Sequence, residues 1–227
     1  MRATSPTPSR ALRALLGVGV AAAVGVVSLL GGMALARSTA HTALHTPYTT
    51  HEVDFPAPFP LTAQEVDELR VERAAELGAE GEDDPLAGVD LDAVAHERAA
   101  VRGEHYAKVY LCTDCHGTDL AGGVMIDDAA MGTVLGPNVT PGSRTRDFTV
   151  ADWDRAVRHG VNADGLGTLM PINDFAHMTD RELSDLIVYL RILPPSDAGQ
   201  PRPQMGPVGT VLLATGGMVL EASLMDH

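Results

Sequence analysis

The 227-residue chain has almost no cysteine: Cys112 and Cys115 are its only two. Two thiols cannot build a disulfide framework, so a stapled scaffold is excluded. Lysine is scarcer still, with Lys108 alone, and the formal net charge is −14. An acidic chain without basic clusters argues against nucleic acid as a partner. The same charge favours protein partners with a basic docking surface, through an attraction that weakens in salt. Aromatic residues make up only 4% of the chain, which leaves no broad aromatic core or base-stacking platform. Acidic residues are missing altogether before Glu52.

That acid-free stretch holds the one long apolar run. Arg2, Arg10 and Arg13 precede Ala14 to Ala36, 23 residues without a charge. At about 1.5 Å per residue such a helix crosses a hydrocarbon core of about 30 Å. The positive flank stays inside and the rest of the chain is exported. Ala34-Leu35-Ala36 fits a signal-peptidase site, but signal h-regions run about 7–15 residues, so an uncleaved anchor is the preferred reading. The expectation is a single-pass inner-membrane protein with its main domain on the periplasmic side. A soluble periplasmic protein after signal cleavage is the alternative.

Residues 37–98 read as an acidic linker. Pro47, Pro56, Pro58 and Pro60 favour extended chain. Leu61 to Leu77 carries an imperfect apolar stripe (Val66, Leu69, Val71, Ala74, Leu77) that fits a short helix. GAEGEDDPLAGVD then breaks it. His41, His45 and His51 are loosely spaced and read as solvated linker histidines.

The texture changes at about residue 99, and residues 99–195 read as the main domain. VRGEHYAKVYLCTDCHG reads as one helix running into the cysteine pair. Gly103 inside it costs about 1 kcal/mol against alanine, which points to a closely crossing partner. Leu120 to Gly142 is Gly-rich and aperiodic, and reads as a long loop wrapped around something. Thr149 and Asp152 open a helix that Gly160 closes. Thr179 and Glu182 form a capping box before Leu183, Leu186, Ile187 and Leu190, and Pro194 stops that last helix. No strand pattern and no repeat stands out, so the fold class is a small all-α domain of three or more helices and long loops, preceded by one transmembrane helix. In the extension, residues 196–227, Pro207 to Leu220 is apolar but too short to span a bilayer, and is expected to pack on the domain or on a partner.

The central motif is CTDCHG, Cys112 to Gly117. A disulfide across two intervening residues staples nothing. A thioredoxin-like pair wants a preceding strand and a βαβ pattern. A zinc site wants a second ligand pair at defined spacing. Covalent attachment of one haem c remains: positions i and i+3 of a helical turn face the same way, both sulfurs reach the haem edge, and His116 stands beneath the iron. A second axial ligand has four methionine candidates. Met125 and Met131 lie close behind His116, and Met178 enters the last helix. Met170 lies 54 residues past His116 in a Gly/Pro-containing loop, which permits return across the other face.

RGEHYAKVYLCTDCHGTDLAGG, GPNVTPG, DWDRAVRHGV and LMPINDFAHMTDRELSDLIVYLRILPP together resemble class I cytochrome c domains, above all those of bacterial membrane-associated single-haem cytochromes c. The likeness covers a little under half of the chain. It implies haem attached outside the cytoplasm, with Cys112 and Cys115 as its covalent sites. It implies His116 and Met170 as axial ligands, and the carbonyl of Pro137 as acceptor for the His116 ring. Trp153, Tyr106, Tyr189 and Leu190 are expected in the haem pocket or core. Arg155 and Arg158 either pair with haem propionates or stay solvated, and His159 is a lesser iron ligand. Iron closed by two protein ligands passes electrons between redox partner proteins and is not an enzyme by itself. A haem-based ligand sensor, or a haem-enzyme subunit with an open distal position, is the alternative. A weak methionine–iron band near the red end of the oxidised spectrum, and resistance of the reduced protein to carbon monoxide, separate the two.

Overall fold

A computed structural model describes residues 10–78 and 84–225. Arg2 of the positive flank and residues 79–83 of the acidic stretch lie outside them. Helix α1, Arg10–Leu44, contains the whole apolar run, and its side chains from Ala14 to Gly32 are exposed. Among the described residues it is the one helix long and apolar enough to cross a membrane. Its last turns behave differently. Met33, Ala36, Ala40 and Ala43 recur at helical spacing and lose exposure. Ala40 and Ala43 meet the apolar tail, which folds as α7, Pro207–Thr215, with Pro207 opening it and Gly216 (φ 77°) closing it. Ala40, Leu213 and Leu220 form the small core between the two.

The main core is helical. We label α2 as Ala63–Leu77, α3 as Leu91–Val109, α4 as Cys112–His116, α5 as Val150–Val157 and α6 as Asp180–Ile192. Helix α3 crosses α6 at Gly103, where a Cβ would lie 2.0 Å from the Asp185 carbonyl oxygen. The glycine is there for that approach, as its cost in a helix implied. The capping boxes at Thr149/Asp152 and Thr179/Glu182 are both formed. Helix α5 stops at Arg158 rather than at Gly160, which sits two residues on in a left-handed conformation (φ 62°). Trp153, Phe175, Met178, Leu183 and Ile187 fill the core together with Phe55. Phe55 belongs to the stretch read as linker. Its segment is held by Ser184 Oγ, which donates to the Pro56 carbonyl at 2.8 Å.

Charge organises the outer side of this core. Asp185 is 1% exposed in its side chain and accepts two bonds from Arg102, Nε at 2.6 Å and Nη2 at 3.0 Å. Glu65, at the start of α2, accepts from Arg102 Nη1 at 3.2 Å and from Arg181 Nη2 at 2.7 Å. One carboxylate thus ties α2 to both α3 and α6.

The expectation of helices and loops alone needs correction. Strand β1, Gly123–Asp128, pairs antiparallel with β2, Gly132–Gly136, and β2 pairs with a two-residue β3, Gln204–Met205. The hairpin was hidden because β1 has no regular inside–outside alternation and its register shifts between Val124 and Ile126. Its turn is set by Asp128, whose Oδ1 accepts from the backbone of Ala130 and Met131, both at 2.8 Å.

Candidate functional site

The cysteine motif is not the end of a continuous helix. Helix α3 ends at Val109, and Leu111 adopts φ 55°, a left-handed conformation that a leucine rarely takes. That residue redirects the chain so that α4 starts afresh at Cys112. Gly117 (φ 83°) ends α4, and the Gly122 N–H donates to the His116 carbonyl at 2.7 Å. The hairpin then closes on the motif at its two glycine ends. A Cβ on Gly136 would lie 2.0 Å, and one on Gly123 2.5 Å, from the Cys115 carbonyl oxygen. These glycines allow backbone to lie on backbone there.

Cys112, Cys115, His116, Pro137 and Met170 all face one mainly apolar cavity of about 480 Å³, within the range of roughly 300–1,000 Å³ usual for cofactor and small-molecule sites. Met125 and Met178 also reach its wall, whereas Met131 is not among the lining residues and packs beside Gly209 of α7. Met178 is 2% exposed and part of the core; Met170 is half-buried in the loop before α6. Trp153 and Leu190 line the cavity; Tyr106 and Tyr189 do not.

His116 Nδ1 lies 2.7 Å from the Pro137 carbonyl. As that oxygen only accepts, Nδ1 carries the proton and Nε2 presents a lone pair. Burial holds the His116 ring below its ordinary pKa, against the opposing pull of the Pro137 bond, and so favours the neutral ring. Burial pushes the Cys112 thiol up to about 11. A thiolate nucleophile needs the opposite; an uncharged thioether suits such a place.

The wall also holds an orphan. Trp153 Nε1 is buried with no hydrogen-bond partner. A buried donor of this kind fits a cofactor that brings its own acceptor. Arg144, Ser143 and Gln200 supply the nearby polar lining. Gln200 was not found from sequence because it lies in the C-terminal extension. Its Oε1 accepts from Asn138 N and its Nε2 donates to the Gly136 carbonyl, both at 3.0 Å, which pins the GPN loop behind His116. Arg158 is spoken for elsewhere: it donates to Asp154 at 2.5 Å and to Asp180 at 2.8 Å, and does not line the cavity. Arg155 pairs with Asp152, and His159 lies away from the cavity beside Asp154.

No protein-family model matches the chain. Over 124 residues it is 34% identical to the fructose dehydrogenase cytochrome subunit of Gluconobacter japonicus, covering 50% of this chain and 25% of that protein. Over 106 residues it is 34% identical to the gluconate 2-dehydrogenase cytochrome c subunit of Pantoea cypripedii, covering 43% and 24%. It is also 32% identical over 111 residues to a diheme cytochrome c-type protein of Cereibacter sphaeroides, covering 43% and 37%. The chain thus spans about a quarter of the length of the first two relatives. These similarities to cytochrome c proteins support a place in the cytochrome c family.

Proposed function

We propose that the chain is a single-haem c-type cytochrome that carries electrons one at a time between exported or membrane-bound redox proteins, and is not itself a catalyst. One observation carries this reading: the only two thiols, a histidine with one free ring nitrogen, and Met170 converge on one apolar cavity. The relatives named as dehydrogenase cytochrome subunits support a dehydrogenase complex as electron donor. The Cereibacter relative is diheme by name, yet two cysteines in this chain suffice for one covalent haem.

In this reading Cys112 and Cys115 would hold the haem through thioethers, and His116 Nε2 and Met170 Sδ would ligate its iron. The bound haem supplies a one-electron couple. The protein's work is to position and to tune. The Pro137 carbonyl fixes the His116 tautomer and raises the basicity of Nε2. Met170 and the apolar wall favour the reduced state and exclude water. Arg144, in the cavity lining, would offer a cation to the acidic groups of the cofactor. Helix α1 is the membrane anchor, with the remaining domain on the periplasmic side, where its acidic surface meets a basic docking face. Cleavage after Ala36 is the competing fate.

Denaturing gels stained for haem test the attachment. The parent keeps its haem after unfolding, whereas Cys112→Ala and Cys115→Ala retain little. Normal covalent haem in Cys115→Ala contradicts the assignment.

A further inference from the structure

His51, Asp154 and His159 meet on the side of α5 away from the cavity, and none of the three lines it. Their ligand atoms all lie within 4.8 Å of one another. The His51 and His159 rings stand edge to face with centroids 4.7 Å apart. His159 Nε2 is 3.5 Å from Asp154 Oδ2, close to the ~3.4 Å between ligand atoms that tetrahedral bonds of about 2.0–2.2 Å require. The Asp154 side chain is 1% exposed, and its Oδ2 has no hydrogen-bond partner. A buried carboxylate oxygen left in this state is costly unless something cationic meets it.

We propose that these three residues form a metal site separate from the cofactor cavity, for a divalent first-row cation of the zinc type. The donor set, two imidazoles and one carboxylate, suits zinc, with a fourth position left to water. His51 is exposed, which supplies the entry path. The local charge permits it. The Arg158 guanidinium lies between Asp154 Oδ1 at 2.5 Å and Asp180 Oδ1 at 2.8 Å. Those three groups sum to one negative charge, and the histidines bind as neutral rings. Small movements of His51, on an exposed segment, close the remaining gap. The bound ion ties the segment around His51 to α5, the helix whose Trp153 and Val157 form the cavity wall.

Calorimetric titration of zinc chloride into the full-chain protein, in mild detergent and after chelator treatment, tests this. Zinc is expected to bind the parent. His51→Ala, an exposed substitution that leaves the core intact, is expected to weaken binding at least about tenfold, the least that even supporting residues cost metal sites. Among the described residues a second histidine pair competes: the His41 and His45 rings stack one helical turn apart at 3.9 Å. His41→Ala is therefore the control and should leave the main binding event unchanged. No zinc binding by the parent, equal binding by His51→Ala, or loss of the ion in His41→Ala instead overturns the proposal. The readout is the ion itself, so the result stands whether or not the cavity holds haem.

Discussion

Replacing Gly103 with alanine sets helix propensity against packing. In an isolated helix the change stabilises by about 1 kcal/mol. Here the new methyl carbon meets the Asp185 carbonyl oxygen at 2.0 Å and the Tyr189 Cβ at 2.7 Å. Carbon contacts are comfortable near about 3.5 Å. The obstacle is backbone, which cannot turn aside, so α6 must retreat by on the order of 1 Å. Overpacking of this kind costs about 1–3 kcal/mol. The retreat also stretches the Arg102–Asp185 bonds, now 2.6 and 3.0 Å; a hydrogen bond to a charged group is worth about 1.5–3 kcal/mol. Packing wins, and a net loss of about 2–3 kcal/mol is expected, which lowers the thermal midpoint by roughly 5–10 °C for a chain of this size. Circular dichroism melts of parent and Gly103→Ala, at one scan rate, measure it. An unchanged or higher midpoint in the variant refutes the close crossing of α3 and α6.

Two other outcomes follow from the charges around that crossing. Arg102→Ala leaves the Asp185 carboxylate buried without its partner and should cost about 3 kcal/mol in a denaturant titration, the low end for a broken buried pair because Arg102 itself is 29% exposed; Arg102→Lys should recover only part, since one ammonium cannot replace the fork. Burial pushes the Glu65 carboxyl up, but the Thr62 hydrogen bonds and the Arg181 charge outweigh it, and its pKa falls below the usual 4.5. A depressed carboxylate stabilises the fold above the unfolded value and loses that contribution as pH falls through the folded value. Melting midpoints should therefore fall below about pH 4.5, and Glu65→Gln should flatten that acid limb; an unchanged limb in the variant contradicts the Glu65 network.

Local signals were legible before the fold was known. The Thr149 and Thr179 caps need only residues three apart, and Gly103 announced its crossing by its cost in a helix. The CTDCHG spacing pointed to Cys112, Cys115 and His116, and the resemblance to cytochrome c domains added Pro137 and singled out Met170; the fold brings all five to one cavity. What stayed hidden depends on long-range contact. The β1–β2 hairpin lacks alternation because its glycine ends lie on Cys115 backbone rather than on a side-chain core. Phe55 looked like linker because prolines surround it, yet it fills the core beside α6. Nothing near Asp185 in sequence reveals Arg102, and nothing near His51 reveals His159. Leu111 gave no warning of a left-handed turn, because leucine is an ordinary helix former and only the change of direction into α4 demands it.

The central claim is that Met170 and His116 close the two faces of a covalently held haem. The oxidised visible spectrum of the full-chain protein, recorded beside Met170→Ala, Met178→Ala and Met125→Ala, tests it most directly. The parent should show the weak methionine–iron band near the red end. Met170→Ala should lose it, keep its covalent haem and bind carbon monoxide when reduced, with a lower reduction potential because a soft ligand to reduced iron is gone. Met178→Ala should keep the band while losing about 2–5 kcal/mol of stability as a truncated core residue, and Met125→Ala should keep it too. A band that survives in Met170→Ala, or disappears in Met178→Ala or Met125→Ala instead, contradicts the assignment.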